Sequence, residues 1–176
     1  FELPANSRDA AIATTVTPGG YTLQLSSAGT AEGTALVELY DAAGSTTAAR
    51  LTNLSARSAI ASPNDALIVG FSVAGKGSRT LLIRAVGPAL ANFGVTGALM
   101  NPKLQLFDRD GKAIQENDDW NETAAASFAQ VGAFQLPHGS QDAALLVTLP
   151  PGSYTAQVTG VENATGVTLI EVYDVP

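Results

Sequence analysis

The amino-acid sequence predicts an all-β fold, an antiparallel β-sandwich of jelly-roll-like type with an internal repeat. Three observations predict it. Short apolar stretches alternate with a period of two, turn residues are frequent at 17 Gly and 9 Pro in 176 residues, and no segment carries the pattern of a long amphipathic helix. With 14% charged and 45% hydrophobic residues, the chain can bury a core and is not a charged disordered tail.

The repeat organises the chain. Residues 1–43 align with residues 134–176 without a gap, at a constant offset of 133. Phe1, Leu3, Pro4, Ser7 and Asp9 recur as Phe134, Leu136, Pro137, Ser140 and Asp142. Pro18-Gly19 and Tyr21-Thr22 recur as Pro151-Gly152 and Tyr154-Thr155. Gly33, Leu36, Glu38, Tyr40 and Asp41 recur as Gly166, Leu169, Glu171, Tyr173 and Asp174. A whole unit then has a front part, 44–133, and a back part, 134–176. The chain reads back, front, back. Its expected domains are a back part at 1–43, a linker at 44–50 and a complete sandwich unit at 51–176.

Each back part reads as three strands. Ala10–Val16 matches Ala143–Leu149, where Ala143, Leu145, Val147 and Leu149 share a face. Pro-Gly makes the turn that follows. Tyr21–Ser26 matches Tyr154–Thr159, with Tyr154, Ala156 and Val158 alternating against polar neighbours. Thr34–Tyr40 matches Val167–Tyr173, in which Val37 and Leu39, or Ile170 and Val172, line an apolar face. In the front part, Leu67, Val69, Phe71 and Val73 form one strand. Leu81, Ile83 and Ala85 form another with Arg84 on its reverse, and Leu104 and Leu106 lead into the Asp108-Arg109-Asp110-Gly111 turn. Short helical turns are expected within Gly87–Gly97 and Asn121–Ala129. The total is about nine short strands.

Composition excludes several functions. A net charge of −7 argues against a nucleic-acid backbone as partner. The absence of Cys removes disulfides, Cys-based zinc sites and thiol catalysis, and a single His argues against most His-dependent sites. The uncharged run Ala85–Pro102 is broken by Gly87, Pro88, Gly94 and Gly97, so it does not read as a membrane span. Neither an initiator Met nor a basic-then-apolar leader is present, which reads as a processed end or as a piece of something longer.

Two stretches carry a resemblance. Leu104-Gln105-Leu106-Phe107-Asp108-Arg109-Asp110-Gly111, followed by Asn117-Asp118-Asp119-Trp120, resembles the hairpin of pre-peptidase C-terminal-type domains. The wider pattern is Leu51–Ser55, Leu82–Leu90, the Asn-Asp-Asp-Trp segment and Pro151–Thr155. It is similar to repeats in very large surface proteins of Verrucomicrobia-like bacteria. The resemblance implies a secreted, non-catalytic β-sandwich building block and brings no catalytic residues with it.

Four features are candidate sites. Asp108, Asp110, Asp118 and Asp119 offer the carboxylates a Ca²⁺ ion needs, although Lys112 stands where a third oxygen ligand is wanted. The competing reading is a solvated hairpin with Asx turns. His138, Ser140 and Asp142 are close in sequence but lie on one short loop, and the first copy has Ala5 where the second has His138, so a triad is not expected. Trp120 offers a stacking surface for a sugar ring, against the simpler reading of a core aromatic. Glu38 lies between Leu36 and Tyr40, and Glu171 between Leu169 and Tyr173. A charge among large apolar residues marks these six as a subunit-interface face, or as an edge strand guarded by its charge.

The function expected from these features is structural. An orphaned back part cannot bury enough surface alone, so it borrows closure from a neighbour. A contact of that kind, repeated head to tail, builds a fibre. The expectation is a secreted filament, pilus-like fibre or surface-stalk subunit, not an enzyme, with no required cofactor. Its partners are copies of itself or adjacent repeats of a longer chain. The alternative is a secreted non-catalytic binding module, stabilised by calcium, that takes carbohydrate or protein and is attached to an enzyme or adhesin.

Overall fold

Period-two alternation sorts the side chains of a strand onto two faces. In the computed structural model those faces close on one another over the second part of the chain. The structure describes residues 3–4, 6–30, 33–42 and 50–176. The chain forms two units, Phe1–Leu51 and Thr52–Pro176.

Thr52–Pro176 contains eight strands: β1 (Asn53–Ile60), β2 (Leu67–Val73), β3 (Arg79–Val86), β4 (Pro102–Asp108), β5 (Ala113–Asn117), β6 (Ala143–Leu149), β7 (Gly152–Gly160) and β8 (Gly166–Val175). They form two four-stranded antiparallel sheets, ordered β1-β8-β3-β6 and β2-β7-β4-β5. This is the strand order of a jelly roll, as expected. Leu81, Ile83 and Ala85 of β3, Leu145 and Leu149 of β6, Ala156 and Val158 of β7, and Ile170 and Val172 of β8 fill the space between the sheets.

The other face of the first sheet is covered as well. A 3₁₀ helix (Pro88–Phe93), a second 3₁₀ turn (Glu122–Ala124), helix α1 (Ala125–Val131) and the segment through Leu136 supply the cover. Leu82 and Val86 from β3 and Tyr173 from β8 pack beneath them with Leu90, Phe128 and Leu136. This second layer explains why β3 is buried on both faces and reads as the nearly unbroken apolar run Leu-Leu-Ile-Arg-Ala-Val.

Two strands were not anticipated. β1 is an edge strand whose polar, exposed residues dilute its alternation. β5 is an outer edge with four of its five residues exposed, so burial leaves no pattern in its sequence.

In the unit Phe1–Leu51 every described residue is exposed and none is assigned to a strand. The three strands expected over 10–40 therefore do not form within this chain. The reason lies in the ladders of the other unit. There β6 pairs with β3, β7 pairs with β2 and β4, and β8 pairs with β1 and β3. None of the three back strands pairs with another, so a back part has no sheet of its own to form. Phe1 and most of the expected linker 44–50 lie outside the described residues.

Candidate functional site

The most concentrated polar chemistry of Thr52–Pro176 lies under the second layer, around Arg84. Antiparallel pairing sets Arg84 of β3 directly opposite Glu171 of β8. The Arg84 Nε donates to Glu171 Oε2 at 2.9 Å, and a terminal nitrogen donates to the same oxygen at 2.5 Å. The other terminal nitrogen donates to the Phe134 carbonyl at 2.5 Å. The Tyr173 hydroxyl donates to Glu171 Oε1 at 2.6 Å. The guanidinium is stacked among Phe134, Phe128 and Tyr173, with centroid distances of 4.4, 4.9 and 5.8 Å. The Arg84 side chain is fully buried and that of Glu171 nearly so. Burial, followed by the hydrogen bond to Glu171, pushes the Tyr173 hydroxyl well above its ordinary pKa of 10.0.

Three of the Arg84 N–H groups are donated to Glu171 and to the Phe134 carbonyl, and aromatic rings surround the guanidinium. Such an arrangement locks β8 to β3 and to the segment at Phe134. The sequence signal for it was an arginine in the middle of an apolar strand, opposed by a glutamate in a second one.

The expected interface residues separate into two sets. Glu171 and Tyr173 are buried and Leu169 is half-buried, all against the second layer of their own unit, so they do not form an outer surface. Leu36 and Tyr40, by contrast, are 71% and 68% exposed. Their neighbour Glu38 is exposed too, and its Oε1 accepts a hydrogen bond from the Tyr40 hydroxyl at 2.9 Å. That bond, together with the nearby carboxylate charge, raises the pKa of Tyr40. No cation pairs with Glu38 among the described residues.

The acidic run does not converge. Asp108 and Asp110 belong to the turn before β5, and Asp118 and Asp119 follow its far end, so the length of β5 separates the pairs. Asp108 Oδ1 accepts from the backbone amides of Asp110 and Lys112 at 3.0 and 2.9 Å, which is an Asx turn. No group of three metal-ligating acids or histidines forms among the described residues. An open depression of about 480 Å³ at the same turn is lined by Phe107, Asp108, Arg109, Tyr154 and Gln157.

His138 and Asp142 part company. The exposed His138 ring reaches Glu122 at 2.5 Å. The Ser140 hydroxyl donates to Asp142 Oδ2 at 2.6 Å, while Asp142 Oδ1 accepts from the amides of Gly87 and Ala89 at 2.8 and 3.3 Å. The fully buried Asp142 therefore holds the start of the first 3₁₀ helix. The half-buried Trp120 ring packs 5.5 Å from that of Phe128, at the edge of the second layer, and donates its indole N–H to Ser140 Oγ at 3.2 Å.

No protein-family model matches the chain, and no curated protein sequence matches it. Among solved structures, the chain is similar to the pre-peptidase C-terminal domain of a collagenase from Bacillus anthracis. That likeness has 10% identity and a TM-score of 0.44, and covers 69% of this chain and 89% of that one. It is also similar to a cycloisomaltooligosaccharide glucanotransferase from Paenibacillus sp., solved with cycloisomaltoheptaose. Here the identity is 18% and the TM-score 0.33, covering 63% of this chain and 13% of that one. Neither likeness places the chain in a family. No helix among the described residues is long and apolar enough to cross a membrane.

Proposed function

We propose that this chain is a non-catalytic structural subunit of an extracellular filament or surface stalk, assembled head to tail by strand and sheet packing between subunits. One observation carries the reading. Residues 10–42 repeat the pattern of β6, β7 and β8, yet Ile12, Tyr21, Leu23, Leu36, Leu39 and Tyr40 are 56–84% exposed in this chain. Burying a side chain of this size is worth about 1.5–3 kcal/mol. A row of them in solvent is a standing drive toward association, and patches of this kind mark interaction surfaces.

Chemistry inside Thr52–Pro176 supports the same reading. Its buried charged residues, Arg84, Glu171 and Asp142, are spent on internal locks, which suits a rigid block better than a reactive cleft. A calcium-stabilised binding module draws no support from the acidic run, whose carboxylates sit at opposite ends of β5.

Electron microscopy of the purified protein at rising concentration tests the proposal. The expected result is elongated assemblies with a regular repeat. Monodisperse single particles at every concentration would overturn it.

A further inference from the structure

We propose that residues 10–42 are a ready-made set of closing strands for an open front half-sandwich on a second polypeptide, and that the Glu38–Tyr40 pair is the receptor for an arginine on that partner. The partner is defined by chemistry. It carries five strands of the kind found in 52–133, it is not already closed by a back part, and its third strand bears an arginine at the place of Arg84. The proposal rests on the assembly reading in one respect only: that residues 10–42 meet a protein surface rather than solvent.

Several independent observations specify this occupant. Every ladder partner of β6, β7 and β8 belongs to the front half, so the cognate of a back part is a front half and not another back part. The two back parts also share local hydrogen bonds that need no partner. The Ser7 amide donates to the Pro4 carbonyl as the Ser140 amide does to the Pro137 carbonyl, both at 3.0 Å. The Tyr21 hydroxyl donates to the Thr17 carbonyl at 2.8 Å, as the Tyr154 hydroxyl does to the Pro150 carbonyl at 2.9 Å. The Tyr40–Glu38 bond corresponds to the Tyr173–Glu171 bond in the same way. What Glu38 lacks is what only a front half supplies: the guanidinium that binds the second oxygen of Glu171.

A glycine gives a further pointer. A Cβ on Gly166 would stand 2.6 Å from the Leu99 amide nitrogen, because the front-half loop at Gly97–Leu99 lies against β8. Gly33 occupies the matching position, and nothing lies within 4 Å of where its Cβ would be. The repeat thus keeps a glycine where a front-half loop would seat.

Stoichiometry selects a second polypeptide with an open front half over a closed copy. The sequence holds two back parts and one front part. In this structure 134–176 already closes that front part, so a closed copy has no vacancy for residues 10–42.

The test uses full-length chains. Ile170→Asp with Glu171→Lys places two charges in the buried stretch of β8 and opens the front half. Adding Val37→Asp and Glu38→Lys cancels the other back part, giving an acceptor with no closing strands of its own. Wild-type chain mixed with this acceptor is expected to form a one-to-one complex in which the amides of Leu36–Tyr40 exchange at least about 100-fold more slowly than in wild type alone. Wild type carrying only Glu38→Lys is expected to give neither. If both donors bind alike, or neither does, the proposal is overturned.

Should the fourfold variant not stay soluble, Ile170→Asp with Glu171→Lys alone answers the question. Protection must move from Leu169–Tyr173 to Leu36–Tyr40, and free exchange at Leu36–Tyr40 overturns the proposal. Closure without filaments would remove the assembly reading and leave the pairing standing. Wild-type filaments, together with unprotected 36–40 amides in the mixture with the acceptor, would do the opposite.

Discussion

Arg84 on β3 and Glu171 on β8 face each other in register, and two guanidinium nitrogens share one carboxylate oxygen at 2.9 and 2.5 Å in a site closed to water. A pair so buried is costly to break from one side. Arg84→Met leaves the Glu171 carboxylate buried without its counter-charge and is expected to lower stability by about 3–5 kcal/mol. Arg84→Met with Glu171→Leu removes both charges and is expected to recover most of that loss. Urea unfolding of the three proteins checks this, and a double variant as unstable as the single one would contradict it.

Tyr173 adds a pH dependence. Its hydroxyl donates to Glu171, and burial raises its folded-state pKa above the ordinary 10.0. The proton is therefore held more tightly in the folded chain than in the unfolded one. The stabilisation is complete below pH 10 and is lost as the pH climbs toward the folded-state value. Wild type is expected to lose stability above pH 10 faster than Tyr173→Phe does. Parallel curves of melting temperature against pH for the two proteins would count against this assignment.

Gly166 and Gly33 separate a seated strand from an unseated one. Gly166→Ala drives a Cβ against the Leu99 backbone at a φ of 150°, which side chains rarely adopt, and is expected to cost about 2–4 kcal/mol. Gly33→Ala meets nothing within 4 Å and is expected to change the stability of the isolated chain by less than about 0.5 kcal/mol. Thermal denaturation of both variants gives the comparison.

Asp142 is expected to matter for folding and not for chemistry. Asp142→Ala strands the buried amide of Gly87 and removes the acceptor for Ser140, at a cost of about 1–3 kcal/mol. His138→Ala, at an exposed ring, is expected to shift stability by less than about 0.5 kcal/mol. Denaturant midpoints for the two variants check the contrast.

How far the sequence could be read depended on burial. β6, β7 and β8 each pack one face between the sheets, and the alternation of Leu145, Ala156, Val158, Ile170 and Val172 announced them. β3 was legible as a strand with Arg84 on its reverse face, but a period of two could not say that a second layer, packed on Leu82 and Val86, covers that face. β5 was illegible because an exposed edge strand has no reason to alternate. The Glu171 face reads in the sequence as a subunit interface or as a charge-guarded edge strand, because a glutamate stands among the large apolar residues Leu169 and Tyr173. What hides it is Arg84, 87 positions away in the sequence. In the first unit the same residues were expected to form strands, and the expectation failed because propensity does not supply ladder partners. β6, β7 and β8 draw all of theirs from the front half.

The most direct measurement is amide hydrogen exchange on the wild-type chain, dilute and then mixed with the open acceptor. The account predicts that the dilute chain protects Leu169–Tyr173 while Leu36–Tyr40 exchanges freely, and that the acceptor protects Leu36–Tyr40 as well. Protection of Leu36–Tyr40 in the dilute monomer, or free exchange there in the mixture with the acceptor, would contradict it.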